Sequence, residues 1–440
     1  QENACGDGVT SCLLIASNLM REAGRLFDKK LHPLVLVEGY QKALEVTLQT
    51  LESKIINIKP DSIEELRKVA KTAMSGTSAE AGGDLMADLV VNAAQLVAGE
   101  KNGHLHISTE DVRMAKRGVG SIGDSRLIAG LIIEKRLDLD RLPKLLEGGK
   151  VVVLSCPLEI ESTVRDVEIE VDDPEKWVAF MDIEEQRLQK KAQQIIDSGA
   201  NLVFTAEGVE PRILHRLVDE GIFVLGGLEK SGAEDIALAT GAQMIDHLDD
   251  ISNEVLGNFT QLTIETLEGA EGRRERIHLL VGKQTGIATI DVGGGDGVAS
   301  EEVIRGLYDA LCSVTSAMET GEVLTGAGSL HMAASLAIKE AAENQSGRQR
   351  LAMEAFSRAL ESVPATLGEN AGANRLDCLL ELRSLHRAGN SEAGILPDGK
   401  AGTIVEALAS AETLSHAIEA ACETTCGLLR VDQVISARGD

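Results

Sequence analysis

Gly6-Asp7-Gly8-Val9-Thr10-Ser11 leaves a turn and runs straight into an apolar-periodic segment from Cys12 to Phe27. Two glycines allow positive φ and a close approach of backbone to ligand, two hydroxyls can donate to phosphate oxygens, and the unpaired N–H groups of a helix start favour an anion. A carboxylate between the glycines would repel a phosphate directly. Asp7 therefore reads as a ligand for a hard cation, most readily Mg2+, bridging protein and phosphate. An ordinary turn with an acid near a helix N-terminus fits the same six residues. The rest of the chain has to decide between them.

At 440 residues the chain is too long for one core, so two or three structural units are expected. It opens on Gln1, which predicts a processed chain or a fragment with something upstream. Seventy acidic against 43 basic residues give a formal charge of −27, which argues against nucleic acid and anionic membrane surfaces as partners. Seven scattered cysteines make a disulfide framework unlikely to be the organising device and point to a reducing cytoplasm. Cys422 and Cys426 stand at helical spacing, but a metal site would need further ligands nearby. No apolar run is long enough to span a bilayer. Aromatics are only 2% of the chain, so the cores have to be built from Ala, Leu, Ile and Val, which favours helix packing.

Outward from the opening motif the texture is helical. Helices are expected at 12–30 and 34–56, joined at Leu31-His32-Pro33, and from Ser62-x-x-Glu65, a capping-box pattern, to about Met74. Residues 79–99 and 109–116 also read as helix. The pattern then changes. Short apolar runs at 151–154, 202–204 and 222–225 read as buried strands, 167–171 as a half-exposed strand, and 209–219 and 233–240 as helices between them. Strand and helix alternating at this spacing form an α/β domain, about 130–285, with part of its sheet parallel. Within it a long helix over 175–198 carries Trp177, Val178, Phe180, Met181 and Ile183, either a contact surface or an own-domain packing face.

A strand over 287–292 ends in Gly293-Gly294-Gly295-Asp296-Gly297. Asp291-Val292-Gly293-Gly294-Gly295 resembles the phosphate loop of sugar-kinase and actin-like ATPases, but that fold needs a second phosphate hairpin and the sequence offers none, so the stretch reads as a returning turn. Helices are expected at 300–319, 330–343 after a second Gly-rich turn over 324–329, 348–362, 366–388 and 409–427, with a closing strand over 428–435. The two ends are helical and alike, so the middle is expected to be inserted between them.

In this order the motifs resemble those of the group II chaperonins, the archaeal thermosome type with its eukaryotic cytosolic relatives, over essentially the whole chain. Gly6-Asp7-Gly8-Val9-Thr10-Ser11 resembles the family's Gly-Asp-Gly-Thr-Thr-Thr; Leu31-His32-Pro33 through Glu38-Gly39-Tyr40 its Ile-His-Pro to Glu-Gly-Tyr segment; Cys156-Pro157-Leu158-Glu159 its Asp-Cys-Pro-Leu-Glu; and Pro364 through Gly372 its Ile-Pro-Arg-Thr-Leu-Ala-Glu-Asn-Ala-Gly. The resemblance implies a multidomain α+β fold: a mostly α-helical equatorial domain (1–60 and 325–440), a small α/β intermediate domain (61–129 and 286–324) and an inserted α/β apical domain (130–285) with a helical lid protrusion near 172–198. It implies a cytoplasmic, ATP-dependent protein-folding subunit of a double ring, whose partners are other chaperonin subunits and unfolded clients held by the apical domain. The family's N-terminal segment, with its Gly-Pro-Lys-Gly and Asn-Asp-Gly turns, would precede Gln1.

The same resemblance assigns the cofactors ATP and Mg2+ and the site. Asp7 corresponds to the Mg2+ ligand, Gly8, Val9, Thr10 and Ser11 to the phosphate-contacting turn, and Asp309, in Tyr308-Asp309-Ala310-Leu311, to the acid that orients and deprotonates the attacking water. Asp309 is expected to come from the intermediate segment and to reach the phosphate only when a hinge closes. Gly326 and Gly328 correspond to glycines beside the nucleotide, and Glu406 to a carboxylate at the ribose. Several positions depart from the family. Val9 replaces a threonine, Thr77 a lysine that senses the γ-phosphate, Ala327 a glycine and His331 a glutamate. Three functions follow for comparison: an ATP-driven chaperonin subunit, a divergent ring subunit with weak or no ATPase that acts structurally in a hetero-oligomer, and an actin-like kinase built on Gly293 to Gly295.

Overall fold

The structure, a computed structural model, describes residues 1–101, 103–137, 139, 141–159, 174–269, 272–282, 286–295 and 297–431. The expected strand over 167–171 lies outside them. Contacts divide the chain into two compact units, Gln1–Ala94 with Glu100–Thr109 and Glu301–Asp440, and Gln95–Gly99 with Glu110–Ser300. The first unit is thus built from both ends of the chain.

In the first unit the helices Val9–Asp28 and Pro33–Glu52 meet at the expected corner. Pro33 opens its helix where no N–H is needed, and His32 Nδ1 accepts from the Leu34 N–H at 3.2 Å. Helices Ser329–Glu343, Gln349–Leu360 and Ala411–Leu428 pack on this pair. Ile15, Leu19, Leu36, Tyr40, Ile338, Phe356 and Ile418 are fully buried between them. Small residues let the helices close in: a Cβ on Gly39 would stand 2.4 Å from Ala352 Cβ. One aromatic pair fixes the centre, Tyr40 meeting Phe356 edge-on at 5.7 Å while its hydroxyl donates to the Leu19 carbonyl at 2.9 Å. A small antiparallel sheet, Ile56–Asn57, Glu322–Thr325 and Leu408–Ser410 in that spatial order, completes the unit.

Four local expectations are corrected. Residues 112–116 form a strand, Val112–Lys116, because Ala288–Val292, far along the chain, offers it a parallel ladder that no local pattern reveals. The 366–388 helix is two, Ser362–Asn370 and Arg375–Arg387. Gly372 takes φ 82° between them and Asn374 caps the second, its side chain accepting from the N–H groups of Leu376 and Asp377. Ser62 starts the Ile63–Met74 helix without a capping box, its hydroxyl accepting instead from the Lys59 N–H at 3.2 Å. Leu428 ends a helix rather than starting a strand; the Leu429 N–H still donates to the Thr425 carbonyl at 2.9 Å, and Cys426 and Leu429 are buried in the helical core. Residues beyond 431 lie outside the described ones.

The second unit holds a seven-stranded sheet in the order Gly130–Glu134, Gly272–Leu280, Gly257–Gly269, Leu145–Leu154, Leu202–Thr205 and Phe223–Leu225, with Met244–Ile245 beside Leu145–Leu154. Leu145–Leu154, Leu202–Thr205 and Phe223–Leu225 run parallel, which fits their unbroken apolar runs. Val151 and Val153 face one core, Val152 and Leu154 the other. Helix Pro174–Asp197 packs Leu188, Ala192 and Ile195 onto the second core. Further toward its start Val178, Met181 and Ile183 are 58%, 40% and 52% exposed, so these three are not buried in an own-domain core; the side chains of Trp177 and Phe180 lie outside the described residues.

Gly293 to Gly295 acts as a packing turn. A Cβ on Gly293 would lie 2.2 Å from the Ser121 carbonyl, and its N–H donates to Ser125 Oγ at 2.9 Å. Asp291, the acid an actin-like loop would offer to a metal, is fully buried, with Arg276, Arg126 and Arg117 at 2.8, 3.1 and 3.3 Å. The kinase reading has no free carboxylate there.

A buried acid ties three helices of the first unit. Glu361 accepts from Ser335 at 2.8 Å and Arg383 Nε at 3.1 Å, and pairs with Lys339 at 2.5 Å. Burial would raise its pKa, but the bonds from Arg383 and Lys339 outweigh burial and leave it below the usual glutamate value of 4.5. A depressed carboxyl contributes stability that is fully present above the unfolded value and is lost as pH falls through the folded one. Glu361→Gln is expected to cost about 3 kcal/mol near neutrality and to flatten the loss of stability below about pH 4.5, read from urea unfolding as a function of pH.

Candidate functional site

The opening turn owes its shape to its glycines. Gly6 and Gly8 take φ 67° and 80°, and a Cβ would stand 2.3 Å from Cys312 Sγ at the first and 2.9 Å from Gln1 Nε2 at the second. The Gln1 side chain donates to the Asp7 carbonyl at 2.7 Å and to the Thr413 carbonyl at 3.3 Å, tying the turn to helix Ala411–Leu428. Gly8 caps the Val9–Asp28 helix, so Val9, Thr10 and Ser11 are its first three residues, whose N–H groups have no partner within the helix. Val9 lacks the hydroxyl of its neighbours but keeps this backbone donor.

Both carboxylate oxygens of Asp7 are engaged. The Gly8 N–H donates to Oδ1 at 2.5 Å and the Ser313 hydroxyl to Oδ2 at 2.8 Å. Ser313 belongs to helix Val298–Thr320, one turn after Asp309. Burial pushes the Asp309 carboxyl up to about 6, and the negative charge of Asp7 adds to the shift. Asp7 itself is raised by burial, against the bonds from Ser313 and Gly8. Two half-buried acids repelling each other make a place where a cation is favoured. Asp309 lies in the same compact unit as Asp7 and feels its charge.

A second group forms around Gly326. Its N–H donates to the Ala407 carbonyl at 2.9 Å, which sets Glu406 beside the turn; Glu406 is exposed, with Lys68 Nζ at 3.8 Å. Gly328, at φ 76°, caps helix Ser329–Glu343, and a Cβ there would press to 2.7 Å of Pro364. Gly328 is therefore demanded by packing as well as by φ. Between the two glycines Ala327 holds φ 53°, where a side chain is strained. The two groups are joined through Leu408–Ser410 and the helix after it, since Ser410 Oγ and Glu412 Oε2 lie 2.8 and 2.7 Å from Ser316 on the Asp309 helix and Thr413 packs on Gly8.

The departures have structural consequences. Thr77 spends its hydroxyl on the Met74 carbonyl at 2.6 Å and packs against Gly306, one turn before Asp309. His331 is buried with both ring nitrogens unpartnered, and burial pushes its pKa down to about 4, so it is neutral. Cys422 and Cys426 place their sulfurs 3.9 Å apart inside the helical core, and among the described residues no group of three or more His, Cys, Asp or Glu could hold a metal. A hard ion taking one or two protein carboxylates and the rest of its shell from phosphate and water fits Asp7 without such a cluster. Ser313 and Lys68 were not singled out by sequence reasoning. The i+4 spacing of Ser313 from Asp309 was the available signal.

A helical unit built from both ends of the chain, with an α/β unit inserted between them in the sequence, is the architecture of a chaperonin-type subunit, and comparison with known proteins agrees. The model of the TCP-1/cpn60 chaperonin family matches residues 1–439. The thermosome subunit beta of Archaeoglobus fulgidus is 35% identical over 100% of this chain and 80% of its own. The thermosome subunit of Methanopyrus kandleri is 34% identical over 100% and 80%, and thermosome subunit 1 of Haloferax volcanii 33% over 99% and 77%. Among solved structures, the open-state monomer of a group II chaperonin from Methanococcoides burtonii superposes with a TM-score of 0.67 at 30% identity, covering 97% of this chain and 100% of that one. The chain belongs to the TCP-1/cpn60 chaperonin family, as a chaperonin subunit of the group II type.

Ala327→Gly should relieve the left-handed strain and raise stability by about 1 kcal/mol, whereas Gly328→Ala, at positive φ and against Pro364, should lower it; chemical unfolding of the two variants measures both.

Proposed function

We propose that this subunit binds and hydrolyses Mg-ATP at the Asp7 turn and uses the turnover to close a folding chamber around unfolded proteins. The observation that carries the reading is the bond of Ser313, one helix turn after Asp309, to the Asp7 carboxylate at 2.8 Å, which brings both acids to the opening glycine turn. Asp7 would hold Mg2+ together with phosphate oxygens, and the ion when bound supplies charge neutralisation on the phosphoryl group. The N–H groups of Val9, Thr10 and Ser11 face the anion from the helix start. Thr10 and Ser11 add hydroxyl donors, and Gly326 and Gly328 keep the facing turn free of side chains. Glu406 accepts from the ribose hydroxyls. Asp309 orients a water and takes its proton at a carboxylate oxygen, and a carboxyl near 6 is ionised at neutral pH yet basic enough to share that proton.

In this reading the first unit corresponds to the equatorial domain with part of the intermediate one, and the second to the apical domain with the rest of the intermediate one. The exposed Val178, Met181 and Ile183 on helix Pro174–Asp197 then serve as lid contacts between subunits of a double ring or as a surface for apolar client segments. Among the described residues no helix is long and apolar enough to cross a membrane. A second reading, a structural ring subunit with weak turnover, draws on Thr77, whose hydroxyl is tied to its own loop and which brings no charge to the phosphate.

The test is turnover of the full chain. Asp309→Ala should slow hydrolysis by two or more orders of magnitude while titration calorimetry still finds Mg-ATP bound, and kcat/KM of the unaltered chain should fall as pH drops through about 6. Equal turnover in the variant removes Asp309 as the base. Binding without turnover in the unaltered chain favours the structural reading.

A further inference from the structure

We infer that Ser313 is a positioning residue for the metal site: its hydroxyl fixes the Asp7 carboxylate and locks the metal ligand to the helix that carries Asp309. The inference rests on the proposed Mg-ATP site and names a residue that the motif carry-over does not assign.

The geometry is specific. Ser313 is 2% exposed, inside the Val298–Thr320 helix, where a buried hydroxyl needs a partner. A serine in a helix commonly satisfies itself on a carbonyl of the preceding turn, as Thr315 does on the Cys312 carbonyl at 3.0 Å. Ser313 instead donates outward to Asp7 Oδ2 at 2.8 Å, across 306 positions of sequence. The Gly8 N–H takes the other oxygen at 2.5 Å. With one donor on each oxygen, rotation about the Asp7 side-chain bonds is restricted from both sides. A hydroxyl donating to a carboxylate is a charge-assisted bond, shorter and stronger than a neutral one. Both donors leave lone pairs on each oxygen for a cation.

The turn around this bond is packed from the same helix. The Cys312 sulfur fills the space where Gly6 has no side chain, and Asp309 stands one turn before Ser313. A single rigid element therefore positions both acids, Asp309 covalently and Asp7 through the Ser313 bond. An apolar residue at 313 would leave Asp7 Oδ2 half-buried without this donor and free to turn away. Metal use would weaken, while the turn's backbone donors to phosphate would remain.

The prediction separates these effects. In the full chain, Ser313→Ala should raise the Mg2+ concentration for half-maximal hydrolysis about 5- to 20-fold, which is about 1 to 1.8 kcal/mol and the size of one lost hydrogen bond. Binding of Mn2+ with ATP, read by electron paramagnetic resonance, should weaken by the same factor, while ATP affinity measured in EDTA changes less than twofold. Ser313→Thr, which keeps the hydroxyl, should restore both metal readouts. In an Asp7→Asn background Ser313→Ala should have no further effect on Mn2+, a comparison that still decides the matter if the single alanine variant folds poorly. Unchanged metal dependence in Ser313→Ala, failure of threonine to restore it, or an undiminished effect beside Asp7→Asn overturns the inference. If Asp7→Asn itself leaves metal dependence untouched, the nucleotide-site reading fails instead.

Discussion

Two half-buried carboxylates, Asp7 at the opening turn and Asp309 on the helix that bonds to it through Ser313, are the constraint from which the rest of the site follows. Asp309 is pushed up to about 6, by burial first and by Asp7 second, and a protein tolerates such repulsion only where the surrounding structure over-determines it. Here that structure is specific: two positive-φ glycines at the turn, the Gln1 side chain on the Asp7 carbonyl, and a helix whose successive turns present Asp309, Ser313 and Ser316. The bonds of Ser313 and Ser316 join segments distant in sequence. The turn near the start of the chain is thereby read by a helix some 300 positions later.

The helical core makes that reading reliable. With few aromatics, it depends on close approach between backbones, as at Gly39 against Ala352, and on a small number of buried polar anchors such as Glu361 and the Tyr40 hydroxyl. Close-packed interiors transmit displacement because there is little free volume to absorb it. Helices Val9–Asp28 and Ala411–Leu428, which carry the turn and its Thr413 contact, both belong to that core. The site is thus built on rigid elements at their ends, where backbone donors are exposed, rather than on long loops.

Much of this was legible in the sequence, and the limits have physical causes. Long helices showed themselves by period, and the parallel strands at Val151, Leu202 and Phe223 by unbroken apolar runs, because burial on one face or on both writes directly into composition. Val112–Lys116 was misread because its partner lies far along the chain, and a strand of five residues has too few positions to show a period. The strands Gly257–Gly269 and Gly272–Leu280 have no counterpart in the sequence reading, since Arg273 to Arg276 breaks any apolar pattern although Arg276 is 1% exposed and paired with Asp291. Asp7 and Asp309 were found through the motifs around them. Ser313 was not, because a serine in a helix acquires its meaning only from what faces it.

The departures from the family pattern sort by whether backbone or charge does the work. Val9 forfeits a hydroxyl but not the N–H at the helix start, so that donor survives the change. Ala327 retains the left-handed conformation of a glycine despite its methyl, held by the Ile395 N–H on its carbonyl at 2.9 Å, and the cost is strain rather than a lost shape. Thr77 is different, because no backbone group can stand in for a missing ammonium. If the proposed site holds a phosphate, then without that cation the negative charge of the phosphate and of Asp7 and Asp309 would have to be balanced by a metal ion and by oriented N–H dipoles. Electrostatic compensation of this kind depends steeply on where the metal-facing carboxylate points. In the proposed Mg-ATP site, a chain with Thr77 where the family has a lysine would gain most from a bond that fixes the orientation of Asp7, and the Ser313 hydroxyl at 2.8 Å is such a bond.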